Sequence, residues 1–182
     1  MLYEKLAERQ TASELIFDGR ILHLYRDDIE LPNGKPADRE LIRHVGAVCV
    51  IPVTDDGYAV MERQYRYPVD EVVLEIPAGK LDSPDEDPFL CAKRELSEET
   101  GLVAQHWEKL TCLETTPGFC NERIHIYFAT GLSQGSVHPD EDEFVSTVRM
   151  PLKDAVARVM DGTFRDAKTA LAIMMAAAKC AQ

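Results

Sequence analysis

Residues 74–102 read LEIPAGKLDSPDEDPFLCAKRELSEETGL, which places closely spaced acidic residues directly behind a glycine-containing loop. Asp87, Pro88 and Gly101 predict the limits of a helix. Asp caps free amide groups, Pro suits the first turn, and Gly accepts the left-handed stop. The stretch therefore predicts a loop followed by a helix, and its acidic residues mark the candidate active site.

The predicted helix separates apolar from acidic side chains. Its packing face is marked by apolar residues at three- and four-residue intervals, namely Phe89, Ala92 and Leu96. Glu95, Glu98 and Glu99 lie on another face, where mutual repulsion raises their proton affinity unless a positive charge lies among them. A hard divalent cation meets that need, and ligands that are all oxygen favour magnesium or manganese over zinc. Arg94 precedes Glu98 by four residues and is spaced to pair with it.

A solvated, salt-bridged helix is the alternative interpretation, because most charge-rich segments are no more than that. Taken alone, the pattern Arg-Glu-x-x-Glu-Glu favours this alternative over a metal site. The loop at residues 79–86 and the stop at Gly101 favour a metal site.

Composition limits the function classes. A chain of 182 residues is expected to form one domain with a short N-terminal appendage. The formal net charge of −12 argues against nucleic acids and anionic membranes as partners, because both reward basic patches. Five cysteines without metal-ligand spacing indicate reduced thiols. The N-terminus lacks the apolar core of a signal peptide, and the longest apolar run is too short to span a bilayer. We therefore expect a soluble cytoplasmic protein.

The rest of the chain reads as short strands followed by two helices. Two alternating runs within residues 13–31, split by Asp18 and Gly19, predict a β-hairpin. Further strands are predicted at residues 39–44, 46–53, 58–66, 74–76, 107–115, 124–130 and 144–150, with a turn at 77–79. The second of these is so apolar that both of its faces must be buried. Helices are predicted at residues 151–160 and 166–180, the latter with an apolar stripe of Leu171, Met174, Met175 and Ala178. This order predicts an α/β sandwich.

Residues 79–102 resemble the signature of the Nudix hydrolases: Gly, five residues, Glu, seven residues, then Arg-Glu-aliphatic-x-Glu-Glu-x-Gly-aliphatic. Glu86 and residues 94–102 (RELSEETGL) match position by position. The chain departs at one point, because six residues instead of five separate Gly79 from Glu86, which implies a longer loop at residues 82–85. The resemblance implies an α/β/α sandwich with a mixed sheet, to which this chain adds an N-terminal β-hairpin.

The resemblance also implies the metal ligands. The expected direct ligands of magnesium or manganese are Glu95, Glu99 and the backbone oxygen of Ala78. Glu98 and Glu86 are expected to complete a second metal site or to bind through water. Arg94, which orients Glu98, is counted with Glu98 among the catalytic residues.

Sequence outside the signature is similar to one Nudix branch, the ADP-ribose pyrophosphatases, over roughly residues 21–169. The likeness rests on PNGK with RELIRHVGAV, ERQYRYPVDEVVLEIPAGK, TTPGFCNER, DEDEF and RDAKT. Pro117, fifteen residues after the signature, is a mark of this branch. The resemblance implies hydrolysis of ADP-ribose to AMP and ribose 5-phosphate.

Substrate contacts follow from the same resemblance. Arg66 is expected to bind phosphate, since a guanidinium fork suits diphosphate oxygens; the alternative is an ordinary surface arginine. Arg39 and Glu40 match a pair that contacts the nucleotide end, partly across a dimer, although exposed strand residues look the same in sequence. Glu75 either contributes to binding or pairs with a neighbouring arginine. The remaining candidates are Thr116, Pro117, Gly118 and Glu122.

The catalytic base is expected in the acidic loop DEDEF. Glu143, directly before Phe144, is preferred, and Glu141 is the reserve. The alternative is that the loop only improves solubility, as most acidic loops do.

Two other functions stay open. The first is a Nudix pyrophosphatase for another nucleoside diphosphate sugar, such as ADP-glucose or GDP-mannose, for which the catalytic helix would be identical. The second is a ligand-sensing module without turnover. The intact glutamates of residues 94–102 and the lack of a basic DNA-binding segment disfavour the second.

The N-terminal strands are expected to serve assembly. We expect residues 1–45 to form a dimerisation appendage and residues 46–182 to form the hydrolase domain. The hairpin at residues 13–31 is too short to bury its apolar residues alone, which predicts a homodimer with two-fold symmetry.

Overall fold

The computed structural model describes residues 5–135 and 144–181. The chain divides into two compact units. The first combines Met1–Val45 with Glu114–Arg123, and the second combines Gly46–Leu113 with Ile124–Gln182. None of the helices within the described residues has the length and apolar character needed to cross a bilayer.

The first unit contains an antiparallel sheet of three strands. These are β1 (Arg9–Asp18), β2 (His23–Glu30) and β3 (Pro36–Ile42), with β2 in the centre. The turn between β1 and β2 is closed by a hydrogen bond from the Gly19 N–H to the Leu22 carbonyl at 2.9 Å. The predicted N-terminal hairpin is therefore confirmed, although its first strand begins earlier than the alternation indicated.

The described residues of the second unit form two sheets. Their strands are β4 (Ala47–Pro52), β5 (Tyr58–Arg66), β6 (Glu71–Glu75), β7 (Ala78–Lys80), β8 (Leu102–Glu114), β9 (Arg123–Gln134) and β10 (Val145–Pro151). The strand orders are β10-β5-β6 in one sheet and β7-β4-β9-β8 in the other. Strand β4 runs parallel to β9 and antiparallel to β7, so the sheet is mixed.

Among the residues that the structure describes, three α-helices cover these sheets: α1 (Pro88–Thr100), α2 (Leu152–Met160) and α3 (Ala167–Cys180). Helices α1 and α3 both contact β4. Side chains on both faces of that strand are fully buried, namely Val48, Cys49, Val50 and Ile51. The predicted α/β sandwich with a mixed sheet is therefore confirmed.

Local interactions set the limits of α1. The Asp87 carboxylate accepts a hydrogen bond from the Phe89 N–H at 2.8 Å. Gly101 ends the helix with a φ of 68°, a conformation that favours glycine, and its N–H donates to the Ser97 carbonyl. The buried face carries Ala92 and Leu96, together with Cys91.

Three local predictions were wrong in detail. Residues 78 and 79 of the turn expected at residues 77–79 belong to β7, because Ala78–Lys80 pairs with β4. Strand β8 begins directly after the α1 stop rather than near Trp107. The buried face of α3 consists of Thr169, Ala172, Ile173 and Ala176, not the predicted stripe. Apolar residues lie on nearly every side of α3, so periodicity alone could not identify the buried face. The small alanines on the buried face allow the helix to pack closer to the sheet.

Candidate active site

Arg94 lies at the centre of a group of carboxylates on α1 and the loop before it. Its guanidinium is 2.8 Å from Glu95 Oε1 and 3.0 Å from Glu98 Oε2. Glu86 Oε1 and Asp82 Oδ2 lie 3.6 and 3.8 Å away. Burial opposes the charge on Arg94, but the surrounding carboxylates outweigh it and raise the pKa of Arg94. The pair between Arg94 and Glu98 that the spacing predicted is present.

The longer loop before α1 closes on itself. Glu86 Oε2 accepts a hydrogen bond from the Asp82 N–H at 2.6 Å, and the Glu86 N–H donates to the Ser83 carbonyl at 3.2 Å. The extra residue is thus taken up within the loop, and Glu86 stays within ion-pair distance of Arg94.

Glu99 reaches Ala78 and Glu95 reaches Gly79, and both glutamates are buried. Glu99 Oε2 accepts a hydrogen bond from the Ala78 N–H at 3.0 Å. Glu95 packs against Gly79 so closely that a Cβ at Gly79 would lie 2.0 Å from Glu95 Cδ. The two glutamates expected to bind metal directly therefore converge on the backbone segment that was expected to supply the third ligand.

The oxygen donors near Ala78 fit magnesium, although the four predicted glutamates do not all lie at one point. Within residues 5–135 and 144–181, no three His, Cys, Asp or Glu side chains form a group that could hold a metal ion. Glu86 and Glu98 lie beside Arg94, which also pairs with Glu95. Magnesium commonly binds through one or two carboxylates and completes its octahedron with water and substrate phosphate. Glu95 and Glu99 beside Ala78 supply that kind of donor set.

Arg66 forms a two-point ion pair with Glu75. Arg66 Nε lies 2.8 Å from Oε1 and Nη2 lies 3.0 Å from Oε2. Glu75 is only 1% exposed, whereas 40% of the Arg66 side chain is exposed. Burial disfavours the charge on Arg66, but Glu75, with smaller effects from Glu62 and Glu99, raises the pKa of Arg66. The pairing of Glu75 with an arginine, one of the two interpretations that the sequence allowed, is present, and the contribution of Glu75 to binding stays a prediction.

Two charged residues of this region were not predicted from the sequence. Glu62 is fully buried and lies opposite Glu75 in the pairing of β5 with β6. Lys168 Nζ contacts Glu75 Oε2 and lies 3.0 Å from Asp166 Oδ2. Two-residue alternation along β5 could have revealed Glu62, because it shares the inward face with Arg66. The segment RDAKT was noted for its likeness to one Nudix branch, but no role was predicted for Lys168, since its partner Glu75 is 93 residues away.

A cavity of about 820 Å³ opens beside this group in the second unit. Arg66, Glu75 and Lys168 line it together with Phe164 and Val72. Its volume lies in the range of pockets that hold small-molecule ligands. The cavity therefore provides space for a ligand next to Arg66.

Arg39 and Glu40, the candidates for the nucleotide end, belong to the first unit, as do the remaining substrate-binding candidates. Arg39 and Glu40 are exposed, and Arg39 Nε donates to Glu8 Oε2 at 3.1 Å. Glu122 accepts a hydrogen bond from Thr115 Oγ1 at 2.9 Å and lies 3.7 Å from His44 Nδ1. Thr116, Pro117 and Gly118 form a turn closed by hydrogen bonds from the N–H groups of Phe119 and Cys120 to the Thr116 carbonyl. The candidate bases Glu143 and Glu141 lie outside the described residues.

Comparison with known families agrees with this geometry. The model of the NUDIX domain matches residues 43–171, which include α1 and its loop. The chain belongs to the Nudix family. A second model, the nucleoside diphosphate sugar hydrolase N-terminal domain, matches residues 8–42. The Nudix fold and a Nudix hydrolase, as expected from residues 79–102, are therefore confirmed.

Individual relatives can be aligned with nearly the whole length of this Nudix protein. An ADP-ribose pyrophosphatase of Bacillus subtilis (strain 168) is 45% identical over 172 residues, which are 93% of this chain and 92% of the relative. A methanol dehydrogenase activator of Bacillus methanolicus is also 45% identical, with the same coverage of both chains. The crystal structure of an ADP compounds hydrolase superimposes with a TM-score of 0.82 and 26% identity, over 93% of this chain and 91% of the other.

Proposed function

We propose that this Nudix hydrolase cleaves the pyrophosphate bond of ADP-ribose with magnesium and releases AMP and ribose 5-phosphate. The observation that carries the proposal is the convergence of the buried Glu95 and Glu99 carboxylates on Ala78 and Gly79. The choice of substrate is supported by the 45% identity to a relative named as an ADP-ribose pyrophosphatase.

Magnesium would be held by Glu95, Glu99 and the carbonyl of Ala78, and manganese suits the same oxygen donors. When bound, the ion supplies charge neutralisation at the phosphates and acidifies water. Glu98 and Glu86 are proposed to complete a second metal site or to act through water. Arg94 holds Glu98 in place through their 3.0 Å ion pair.

Phosphate binding and proton transfer are assigned to side chains that do not bind the metal. Arg66 binds phosphate oxygens, with Glu75 fixing the plane of its guanidinium. Glu143 acts as the base that takes a proton from the attacking water, so that an oxygen–phosphorus bond forms as the bridging oxygen leaves. Glu141 is the reserve for this role.

The nucleotide end is assigned to residues of the first unit and is tied to assembly. Arg39 and Glu40 would contact it, and Thr116, Pro117, Gly118 and Glu122 are proposed as further substrate contacts. We propose that residues 1–45 are a dimerisation appendage, that residues 46–182 form the hydrolase domain, and that two copies assemble as a homodimer.

We also propose a cytoplasmic location. It is supported by the five cysteines, which are all free thiols.

The proposal is tested by incubating the protein with ADP-ribose and magnesium and quantifying AMP and ribose 5-phosphate. Chelation of the metal is expected to abolish turnover. Glu99→Gln keeps the size of the side chain and removes one anionic ligand, so it should lower kcat by about 100-fold or more while the protein stays folded. A wild-type rate that survives complete metal removal would contradict the metal assignment.

The same assay separates the alternatives when it includes ADP-glucose, GDP-mannose and other nucleoside diphosphate sugars. A higher kcat/KM for one of these would replace ADP-ribose as the substrate and keep the chemistry. Tight binding without any product would indicate a sensing module instead of an enzyme.

A further inference from the structure

The first turn of α3 makes contacts that the proposed chemistry does not use. Residues 166–169 read DAKT, part of a segment already noted in the sequence. Asp166 caps the helix by accepting a hydrogen bond from the Thr169 N–H at 3.1 Å. Thr169 Oγ1 accepts from the Ile76 N–H at 3.1 Å, and Lys168 contacts Glu75. This turn therefore contacts Glu75, the last residue of β6, and Ile76, which directly precedes Pro77.

Lys168 and Arg66 bind the same carboxylate. Glu75 Oε2 is contacted by Lys168 Nζ and also accepts a hydrogen bond from Arg66 Nη2 at 3.0 Å. Only 11% of the Lys168 side chain and 2% of the Glu75 side chain are exposed. Both side chains are thus fixed by packing as well as by charge.

The guanidinium of Arg66 is left with one edge for a ligand. Nε and Nη2 are directed at Glu75. Within the described part of the chain, Nη1 donates no hydrogen bond to another residue. A guanidinium carries five N–H donors in a planar fork, so the edge formed by Nη1 and Nη2 can donate hydrogen bonds to a second, bidentate anion.

We propose that Lys168 is a positioning residue for substrate binding, which holds Glu75 and shares its negative charge so that Arg66 presents its outer edge to the diphosphate. This inference rests on the proposed function. Without Lys168, the charge of Glu75 falls on Arg66 alone, which weakens the attraction of Arg66 for phosphate. Glu75 also loses the contact that fixes its carboxylate plane, so the guanidinium is less well oriented.

The test compares Lys168→Met, Lys168→Arg and wild type by steady-state kinetics with ADP-ribose and magnesium. Calorimetry measures the Kd of an ADP-ribose analogue with a methylene group in place of the bridging oxygen. Loss of one charge-assisted contact should raise KM and Kd by about tenfold or more, while kcat changes much less, because phosphate binding is uniform between ground and transition states. Lys168→Arg keeps the charge and should recover most of the affinity.

Lys179→Met is the matched control, because Lys179 lies on the same helix and pairs with Glu108 at the surface. It should leave KM and Kd unchanged. The decisive measurement repeats Lys168→Met in an Arg66→Lys background, where the loss should largely disappear if Lys168 acts through Arg66. A loss of equal size in that background would show that Lys168 contacts the substrate directly, and unchanged KM and Kd in Lys168→Met would also reject the proposal.

Two further outcomes are distinguishable. If Lys168→Met does not fold, Lys168→Gln and Lys168→Arg carry the comparison, and normal KM and Kd in Lys168→Gln would overturn the positioning role. A wild type that turns over no ADP-ribose rejects the proposed substrate. The positioning role is then decided on whichever nucleoside diphosphate sugar is hydrolysed, or on the Kd of the analogue.

Discussion

Gly79 illustrates how one residue determines the site. It does not have one of the positive φ angles that favour glycine. Its requirement is space, because the carboxylate of Glu95 occupies the position that a Cβ would need. The glycine of the signature therefore allows an acidic side chain to pack directly on the backbone beside Ala78.

Gly79→Ala is expected to displace Glu95. The added methyl group would overpack the segment at a cost of about 1–3 kcal/mol, and the displaced carboxylate should lower kcat about 100-fold or more. Unfolding in urea and kcat at saturating magnesium measure the two effects. In Gly79→Ala/Glu95→Ala the clash is absent, so stability should recover while turnover stays low. Normal turnover in Gly79→Ala would mean that Glu95 does not need this position.

The base is the second question at the residue scale. Glu143→Gln should lower kcat strongly and leave KM nearly unchanged, because a base acts on charge that develops during attack. Glu141→Gln is the matched control in the same acidic run and should have a much smaller effect. Kinetics with ADP-ribose at saturating magnesium compare the two variants. Similar, modest losses would indicate a general electrostatic role, and a larger loss for Glu141→Gln would reverse the assignment.

At the scale of elements, the first turn of α3 both caps its own helix and contacts the candidate site. Asp166 caps the helix and also pairs with Lys168, which contacts Glu75. Burial would raise the pKa of Asp166, but Lys168 and the hydrogen bonds from Thr169 outweigh it and lower that pKa. The start of one helix thus stabilises both itself and an ion pair on a neighbouring strand.

Asp166→Asn keeps the capping oxygen and removes the charge. Because the folded pKa of Asp166 is lowered, its charge stabilises the protein above the unfolded pKa of about 4 and stops doing so as pH falls through the folded pKa. The wild type should therefore be more stable than Asp166→Asn by about 1–2 kcal/mol at neutral pH, and this difference should shrink as the pH falls below the unfolded pKa of about 4. Urea unfolding at several pH values measures it, and a difference independent of pH would contradict the assignment.

At the scale of the whole molecule, β1 has an exposed apolar surface. All ten of its residues are exposed, including Leu15, Ile16 and Phe17, and Ile21 and Leu22 follow in the turn. Contiguous apolar residues of this kind commonly mark an interface. They support the proposed homodimer.

The protein is expected to sediment as a dimer at micromolar concentration. Phe17→Glu introduces a charge into the apolar surface of β1 and should shift the mass toward the monomer. Met160→Glu, a matched change at an exposed methionine of α2, should leave the mass unchanged. If the proposed site is completed across the dimer, kcat/KM for ADP-ribose should fall with dissociation. A wild-type monomer whose activity is unchanged on dilution would contradict the proposal.

The sequence by itself determined the features that depend on near neighbours. Asp87 and Gly101 limit α1 because capping bonds join residues only a few positions apart, and the pair of Arg94 with Glu98 depends on one helical turn. The hairpin at Asp18 and Gly19 follows from alternation and turn chemistry in the same way.

Only the tertiary structure decided the contacts between distant segments. The attachment of Lys168 to Glu75, the pairing of β7 with β4 and the buried face of α3 all have this origin. Periodicity assigns a residue to a face but does not say which element will cover that face. Such contacts depend on the shape and volume of the assembled core, which no local pattern of residues records.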